Sequence, residues 1–426
     1  MTFFRGHKSA FVADFVNFAK NNALKSVELL APAKDFQSAV AAVDYGADAV
    51  YIGGAKFGAR YAAGNSAGEI ARVVEYAHRY GVRVHATLNT LIYDDELEAA
   101  GRQARELIAA GVDALIVQDM ALRRMNLPVE LHASTQMCNM TPAQARFLGE
   151  CGFARVILER ALSLGEIRDI CAATAAEVEC FVHGAICVGY SGRCFLSRSV
   201  SDRSGNRGAC SQPCRWTYTL HERTRPEEVM PIEEDERGTA ILSSRDICMM
   251  EHLPRLMESG VCCFKIEGRM KTEIYIATVV GAYRRAMDAY AKSPAGYRAD
   301  AALQRRLRGE LDKISHRVYD TGFYFGQPKV CGEAVGVMQE AEYMGYVLDA
   351  SGGEALVEMK NRFFVGDELE TVTPKGSEKL VIEDIVIERT GEHVGVVNVP
   401  MERVRIPCGG KLQPGDMLRG PVRNRA

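Results

Sequence analysis

The chain has 426 residues, 47% hydrophobic and 25% charged, and a formal net charge of −3. This composition is typical of a soluble globular protein and excludes a disordered, collagen-like or coiled-coil chain. No run of about 18 uncharged apolar residues occurs, so no membrane partner is expected. The first residues lack the apolar core of a signal peptide, which predicts a cytoplasmic protein.

A pattern of helix, glycine, short apolar strand and polar loop repeats along the first two thirds of the chain. In four of these units a glycine follows the helix, as helix C-caps favour: Gly46, Gly111, Gly152 and Gly260. Eight buried strands with intervening helices predict a (β/α)8 barrel, with an open doubly wound sheet as the alternative. No G-x-G-x-x-G opens a helix, which argues against a dinucleotide-binding sheet. The predicted strands begin near residues 27, 49, 83, 114, 130, 155, 177 and 263.

The composition divides the chain into domains. Residues 1–25 are predicted to be an N-terminal helical extension and residues 26–330 a (β/α)8-like catalytic domain closed by helices at about 272–325. Residues 331–426 alternate between apolar and polar in short runs, which predicts a small antiparallel β-barrel. A cysteine- and arginine-rich insertion, about 184–260, precedes the last barrel strand. Such insertions lie on the face where these barrels hold their active sites.

Polar residues follow most of the predicted strands and should meet at the barrel mouth, where they would form a pocket for a small anion. The alternative is a set of satisfied loop and cap residues. Lys265 and Glu267 alternate on the last strand, so both should face the interior and need partners there. His183 is either a catalyst or a hydrogen-bonded structural residue. The mouth candidates are Glu28, Asn89, Gln118, Asp119, Ser134, Gln136, Glu159, Arg160, His183, Glu267 and Arg269.

Thirteen cysteines occur in this chain, and without an export signal a disulfide framework is disfavoured. Zinc ribbons need two close C-x2-C pairs, which the sequence lacks. Four separated thiolates suit a four-iron four-sulfur cluster, while zinc and buried thiols stay open as alternatives. No H-E-x-x-H, G-x-S-x-G or P-loop motif occurs, which disfavours zinc protease, serine hydrolase and NTPase functions. The clustered cysteines are Cys180, Cys187, Cys194, Cys210, Cys214 and Cys248.

The insertion is also basic. Between residues 193 and 215 five arginines stand against one aspartate, a local charge of +4. Arginines beside aromatic residues are typical of phosphate contact combined with base stacking, although a solvated basic face is equally consistent. The residues are Arg193, Arg198, Arg203, Arg207 and Arg215, with the aromatic residues Tyr190, Phe195 and Trp216.

Five segments carry a family resemblance: ELLAPAKDFQSAVAAVDYGADAVYIGG, LHASTQMCNMT, ECFVHGAICVGYSGRCFLS, NRGACSQPCRW and FKIEGRMK. They closely resemble peptidase family U32, the collagenase-like peptidases, and the resemblance covers residues 27–426. Members are implicated in prephenate-dependent hydroxylation of RNA bases and in hydroxylation of ubiquinone precursors, with an iron–sulfur cluster. The architecture is most similar to bacterial tRNA hydroxylation proteins that make wobble 5-hydroxyuridine.

The resemblance implies a [4Fe–4S] cluster, prephenate as co-substrate and a tRNA anticodon loop as partner; no partner protein is predicted. The family's cysteine pattern falls on Cys187, Cys194, Cys210 and Cys248, with Cys214 as the runner-up ligand. Arg160, His183 and Arg269 would hold the dicarboxylate by charge-assisted hydrogen bonds. A peptidase, a hydroxylase of rRNA or of a quinone precursor, and a non-catalytic RNA-binding subunit are the alternatives. The expected catalytic residues are His183, Glu159, Arg160, Lys265, Glu267 and Arg269.

Overall fold

Eight parallel strands close into a barrel, as predicted. Each strand pairs with the next along the chain, and the eighth pairs with both the seventh and the first. The computed structural model describes residues 27–59, 64–187, 189–216, 245–326, 328 and 337–423 and the backbone of 233–235 and 238–240. The predicted helical extension, 1–25, lies outside the described residues. The barrel strands are β1 Glu28–Ala33, β2 Ala49–Gly53, β3 Arg83–Leu88, β4 Ala114–Val117, β5 Glu130–Ala133, β6 Arg155–Ile157, β7 Glu177–Ala185 and, after the insertion, β11 Cys263–Ile266.

Helices connect the strands and surround the barrel. The four predicted C-cap glycines have left-handed backbone, with φ between 87° and 100°, which glycine adopts without a steric cost. The repeating unit is therefore confirmed, and three helices close the domain as predicted for 272–325. The helices are α1 Phe36–Asp44, α2 Ala67–Arg79, α3 Leu97–Ala109, α4 Met120–Arg124, α5 Pro142–Glu150, α6 Leu164–Ala173, α7 Leu196–Ser201, α8 Leu253–Met257, α9 Glu273–Lys292, α10 Pro294–Ala299 and α11 Ala301–Asp312. None of the helices in the described ranges is long and apolar enough to cross a membrane.

The insertion extends the barrel wall. It contributes β8 Glu233–Asp235 and β9 Gly238–Ala240, which pair with each other, and β10 Asp246–Cys248. The last residues of β7 run beyond the barrel and pair antiparallel with β10. A short strand that follows the closing helices, β12 Tyr319–Asp320, pairs with the other edge of β10. The insertion therefore returns along β7 before the chain enters the last barrel strand.

The C-terminal domain is a seven-stranded antiparallel sheet with an apolar core of its own, which confirms the predicted antiparallel β-domain. The sheet order is β17-β16-β21-β13-β14-β20-β18. The domain docks on α11 through Arg419, whose guanidinium pairs with Glu310 of that helix at 2.7 Å. The strands are β13 Ala341–Ser351, β14 Glu354–Met359, β15 Phe363–Phe364, β16 Glu368–Val372, β17 Lys379–Val381, β18 Val386–Ile387, β19 Val396–Val397, β20 Arg403–Pro407 and β21 Met417–Pro421.

Candidate functional site at the barrel mouth

The first part of the insertion folds over the carboxyl ends of the barrel strands. We call residues 189–216 the lid. The Leu91 amide, in the loop after β3, donates to the Asn206 carbonyl at 3.1 Å. The Arg207 guanidinium donates to the Leu91 carbonyl and to both carboxylate oxygens of Glu96. These bonds hold the lid to the barrel mouth.

Two glycines let the lid backbone approach the barrel loops closely. A Cβ on Gly192 would lie 1.9 Å from the Gln136 carbonyl oxygen, and one on Gly208 would lie 2.5 Å from the Gly58 carbonyl oxygen. Both glycines also have positive φ, +73° and +83°, where side chains are strained. Any other residue at these positions would push the lid away from the mouth.

Arg160, just after β6, connects the barrel interior to the lid. Its guanidinium donates to the Ser191 hydroxyl at 3.4 Å and to the Glu267 carboxylate at 3.1 Å. It also lies 3.6 Å above the centre of the Phe181 ring, a favourable cation–π arrangement. The Ser191 amide donates to the Glu159 carboxylate at 3.1 Å. The structure therefore brings the predicted Glu159, Arg160 and Glu267 together, with Ser191 as a contact that the sequence did not single out.

Arg269 lies on the opposite side of the mouth. Its guanidinium donates to the Thr87 hydroxyl at 2.8 Å and is buried. The Tyr51 ring lies beneath it, with the guanidinium carbon 5.8 Å and the Lys265 ammonium 4.3 Å from the ring centre. Tyr51 and Phe181 face inward on their strands. Arg160 therefore lies above the Phe181 ring and Arg269 above the Tyr51 ring, and the two rings form an aromatic floor.

A pocket of about 640 Å³ opens beside this group. The charged side chains of Glu159 and Arg160 and the thiol of Cys187, the first predicted cluster ligand, line the same cavity. Pockets of this size hold small organic molecules. Its lining residues are Glu159, Arg160, Ala161, Ser163, Glu166, Ile186, Cys187, Gly189, Tyr190, Phe323 and Gly326.

Lys265 belongs to a buried charge network deeper in the barrel. Its ammonium lies 2.7 Å from one Glu179 oxygen, and the Arg155 guanidinium lies 3.1 Å from the other. Burial opposes ionisation of Glu179, but the two cations outweigh it and lower its pKa to about 2. Arg155 also pairs with Glu28 and Glu177, both at 2.6 Å. The prediction of Glu28 at the mouth is wrong, because this residue begins β1 and so lies at the opposite end of the barrel.

The remaining mouth candidates divide between mouth contacts and a helix cap. The Asn89 amide donates to the Ser134 hydroxyl at 3.2 Å, and both side chains are buried. Gln118 is buried close to the lid glycine Gly192. The Asp119 carboxylate, in contrast, accepts from the Ala121 amide and caps α4. For Asp119 the structure agrees with the alternative of a satisfied cap residue.

His183 lies in an aromatic box outside the pocket lining. Its ring packs against Tyr275, Tyr283 and Tyr319 with centroid distances of 6.1, 5.6 and 5.3 Å. The side chain is 1% exposed, and burial lowers its pKa to about 3. The structure does not bring His183 to Arg160 and Arg269. Its catalytic role stays a prediction, and the packing favours a neutral structural histidine.

Three other cysteines of the insertion influence the Cys214 thiol electrostatically. Burial raises the pKa of the Cys214 thiol, Arg215 lowers it, and the negative charges of Cys187, Cys210 and Cys194 raise it further. The described residues hold no group of three cysteines arranged as ligands of one metal ion, so a cluster on Cys187, Cys194 and Cys210 stays a prediction.

Cys248 lies on β10 opposite His183. It is 7% exposed, and burial raises its pKa to about 11. The charged and polar groups that act on it are Arg308, Tyr283 and Glu251. Its role as a cluster ligand stays a prediction.

Two glycines lie beside the lid thiols. A Cβ on Gly189 would lie 3.5 Å from the Cys194 sulfur, and one on Gly205 would lie 3.7 Å from the Cys210 sulfur. The Gln212 amide donates to the Cys210 sulfur at 3.3 Å, as amides do to the thiolates of iron–sulfur proteins. Across the described residues, no three His, Cys, Asp or Glu side chains converge as ligands of a single metal ion.

The outer face of the lid exposes the arginines and aromatic rings noted in the sequence. Tyr190, Phe195 and Trp216 are exposed, and so are Arg193, Arg198 and Arg203. Arg207 instead pairs with Glu96, as described above. Most of the basic segment therefore faces solvent beside the pocket.

These features define a TIM-barrel protein with a pocket at its mouth that is covered by a cysteine-bearing lid. The model of Peptidase family U32 matches residues 34–333, and that of the Peptidase family U32 C-terminal domain matches 339–419. The chain belongs to peptidase family U32.

Three relatives are similar along most of this chain. The 23S rRNA 5-hydroxycytidine C2501 synthase of Escherichia coli is 39% identical over 378 residues, 82% of this chain and 55% of the relative. The chain therefore spans about half the length of that relative. The tRNA hydroxylation protein P1 of Bacillus subtilis is 34% identical over 405 residues, 93% of this chain and 95% of the relative. A collagenase of Porphyromonas gingivalis is 29% identical over 416 residues, 92% of this chain and 97% of the relative.

Proposed function

We propose that this protein hydroxylates RNA, forming 5-hydroxyuridine at the wobble position of tRNA with a [4Fe–4S] cluster and prephenate. The observation that carries the proposal is the pocket that Glu159, Arg160 and Cys187 line together. A cavity lined by an arginine and a cysteine suits a reaction that needs both an anionic co-substrate and a redox cofactor. Two relatives named for RNA hydroxylation support the substrate class.

A tRNA substrate is favoured over rRNA by the extent of similarity. The tRNA hydroxylation protein of B. subtilis is matched along 95% of its length, whereas the rRNA synthase is matched along 55%. The exposed lid face supports RNA contact, because arginines bind phosphates and aromatic rings stack on unpaired bases. Such a face fits an anticodon loop, whose bases are single-stranded.

Arg160 and Arg269 would bind the carboxylates of prephenate. Arg269 is buried and Arg160 is partly buried, both stand over aromatic rings, and both already donate to hydroxyl groups. Carboxylates that replace these hydroxyls would form charge-assisted bonds, which are shorter and stronger. The aromatic floor of Tyr51 and Phe181 would contact the ring of the co-substrate.

Cys187, Cys194 and Cys210 would hold the cluster, together with one further thiolate. When bound, such a cluster supplies electron transfer close to the pocket. The overall conversion replaces the C5–H bond of uridine by C5–OH, a two-electron oxidation of the base. Prephenate would supply or enable the oxygen, and an external two-electron oxidant would accept the two electrons that the base loses. The lid and the Arg160–Glu267 pair would hold the base and the co-substrate and exclude bulk water.

Nucleoside analysis tests the proposal. The tRNA of a strain that lacks this gene should lose 5-hydroxyuridine in mass spectrometry, and the wild-type gene should restore it. A strain unable to make prephenate should show the same loss. Arg389→Ala, an exposed arginine of the C-terminal domain, serves as the control variant and should restore the nucleoside fully. Loss of 5-hydroxycytidine from 23S rRNA with unchanged tRNA would identify rRNA as the substrate instead. Unchanged nucleosides in both would refute RNA hydroxylation.

The lid face gives a binding test. Arg198→Ala combined with Arg203→Ala should weaken the binding of a tRNA anticodon stem-loop and reduce the slope of log K against log salt by about 1 per lost phosphate contact. Fluorescence anisotropy at several salt concentrations measures this. Arg389→Ala should leave the affinity and the slope unchanged.

A peptidase is the second candidate, because a collagenase is among the relatives. The described lining of the pocket includes Ser163 and Cys187 but no histidine that could serve as their base. The Ser163 hydroxyl donates to the Glu166 carboxylate in the cap of α6. Peptide cleavage that survives Cys187→Ala, detected by mass spectrometry of the products, would favour this candidate.

A further inference from the structure

The pocket beside Arg160 is acidic. Its described lining holds two carboxylates, those of Glu159 and Glu166, and one guanidinium, that of Arg160. The Glu267 carboxylate lies 3.1 Å from the same guanidinium. With three carboxylates around one guanidinium the pocket is net negative, so it repels a dianion such as the proposed co-substrate. A neutral molecule with hydrogen-bond donors suits it, because ionised carboxylates only accept hydrogen bonds.

Arg160 stands between this pocket and the aromatic floor. Its guanidinium lies 3.6 Å above the centre of the Phe181 ring, which is part of the floor, while its side chain also lines the pocket. Among the described residues, neither Arg269 nor Tyr51 belongs to the pocket lining, so the second arginine acts on the floor side. The mouth therefore has two compartments, a floor beneath two arginines and an acidic pocket.

Two aromatic rings line the acidic pocket. Tyr190 of the lid is 50% exposed, and its backbone is held by a turn in which the Arg193 amide donates to its carbonyl at 3.1 Å. Phe323, in the loop after β12, is partly buried. Rings that are accessible in this way are the stacking partners that proteins offer to unpaired bases.

The loop that carries Phe323 is fixed on two sides. The Tyr324 hydroxyl donates to the Phe181 carbonyl at 2.7 Å. The Leu164 amide, at the start of α6, donates to the Tyr324 carbonyl at 3.0 Å. The backbone next to Phe323 is therefore preorganised, which lowers the cost of binding a ligand against its ring.

A third ring lies outside the described lining. Phe325 is 41% exposed and is followed by the lining residue Gly326. Its ring centre lies 4.6 Å from that of His252 and 5.0 Å from the guanidinium carbon of Arg255, an exposed side chain. An exposed ring beside an arginine offers a surface for a second base and a contact for a phosphate.

We infer that the acidic pocket binds one pyrimidine base extruded from single-stranded RNA, while the anionic co-substrate lies over the aromatic floor; this inference rests on the proposed function. Tyr190 and Phe323 supply the rings that contact the faces of the base. Phe325 and Arg255 contact the next nucleotide. Enzymes that modify a base take it out of its stack into such a pocket, at least cost when the base is already unpaired.

The carboxylate of Glu166 accepts the N3–H of the base. Ser163 donates two bonds to one of its oxygens, each at 2.8 Å, whereas an ionised carboxylate accepts about four. Cys187 lines the same pocket, so the extruded base lies beside the proposed cluster ligand.

Photocrosslinking tests where the base lies. An anticodon stem-loop with 4-thiouridine at the wobble position is bound to the full chain and irradiated with long-wave ultraviolet light, and mass spectrometry identifies the crosslinked peptides. Crosslinks at Tyr190 or Phe323 are expected, and 4-thiouridine at a neighbouring position should crosslink at Phe325. Crosslinks confined to Tyr51 on the floor, to the outer lid face at Phe195, or to residues 337–423 would overturn the inference.

Two variants test the separation of the compartments. Tyr190→Ala and Phe323→Leu should each weaken binding of the stem-loop about fivefold to a hundredfold in fluorescence anisotropy, the value of one base–aromatic stack. The KM for prephenate at saturating RNA should stay unchanged, because the co-substrate lies in the other compartment. Phe147→Ala, which removes a 57% exposed ring on α5, is the matched control and should change neither quantity.

The contrary results are distinct. Unchanged RNA affinity in both variants would overturn the inference, and so would a rise in the KM for prephenate in variants that melt at the wild-type temperature. Leucine keeps the apolar volume of Phe323, and Tyr190 is half exposed, so both variants should fold. Nucleoside analysis decides the proposed function separately. Hydroxylated RNA with crosslinks outside the pocket would overturn this inference alone, whereas unchanged nucleosides with crosslinks in the pocket would support the base site and refute hydroxylation.

Discussion

The buried network of Glu179, Lys265 and Arg155 allows a quantitative prediction, because its two cations differ in their other partners. Glu179→Gln leaves the Lys265 ammonium without its carboxylate, whereas Arg155 keeps Glu28 and Glu177. Removing one partner of a buried ion pair costs about 3–5 kcal/mol. Lys265→Met removes one charged hydrogen bond, about 1.5–3 kcal/mol, and Glu179 keeps Arg155. Glu179→Gln should therefore be the more destabilising change.

Denaturant unfolding followed by circular dichroism at pH 7 measures both effects. The double variant Glu179→Gln with Lys265→Met should lose less than the sum of the single losses, with a coupling of at least about 1 kcal/mol. The control Glu75→Gln removes a surface ion pair with Arg79 and should change the unfolding free energy by less than about 0.5 kcal/mol. Additive losses, or a larger loss for Lys265→Met, would refute the assignment of Lys265 to this network.

The same network predicts an acid dependence. The pKa of Glu179 is about 2 in the folded chain, against 4.5 for an ordinary glutamate, so the unfolded state binds the proton more tightly. The carboxylate therefore stabilises the fold fully above pH 4.5, and this contribution, about 3 kcal/mol, is lost as the pH falls toward 2. Glu179→Gln should show a shallower loss of stability in this range.

Three further predictions concern the mouth, the lid and the aromatic box. Arg160→Met should raise the KM for the proposed co-substrate prephenate about tenfold to a hundredfold, the value of one charged hydrogen bond, and should also lower the unfolding free energy, because Glu267 loses the guanidinium of Arg160. Gly192→Ala should detach the lid, seen as faster hydrogen exchange of residues 189–216, whereas Gly68→Ala, where a Cβ meets no atom within 4 Å, should not. Because the pKa of His183 is lowered from 6.5 to about 3, unfolding binds a proton below pH 6.5. His183 should then cost wild type up to about 1.4 kcal/mol per pH unit below 6.5, and His183→Gln should remove this share while leaving that of His85 and His132, whose pKa values burial also lowers.

The barrel could be predicted because its signals are local. Apolar strands, glycine C-caps and helix periodicity repeat in every unit, and all eight strands lie where the sequence places them. The position of a charged residue along its strand was harder to predict from the sequence. Glu28 begins its strand instead of following it, and Arg155 was not singled out, although a charged residue inside the short apolar segment ARVIL is a signal of a buried pair.

The orientation of His183 depended on an irregularity that no sequence pattern shows. β7 and β11 pair in register through Phe181 and Lys265, and the register then shifts so that His183 aligns with Ile266. Strict alternation from Phe181 would turn His183 into the barrel. The shift, a β-bulge, turns the side chain to the other face of the wall, where it meets the tyrosines of α9.

The position of Cys248, the fourth predicted ligand, also depends on the pairing of strands that are distant in the sequence. The spacing of the cysteines in the sequence does not show in which direction the chain runs between Cys210 and Cys248. Any cysteine within reach therefore satisfies the pattern. The pairing of β10 with β7 fixes that direction, because an antiparallel strand that starts opposite Ala185 must run back toward His183. Each residue of β10 therefore moves the chain away from Cys187, by about 3.3 Å. The turn at Pro213 needs no distant partner, so Cys214 stays in the segment that carries Cys194 and Cys210.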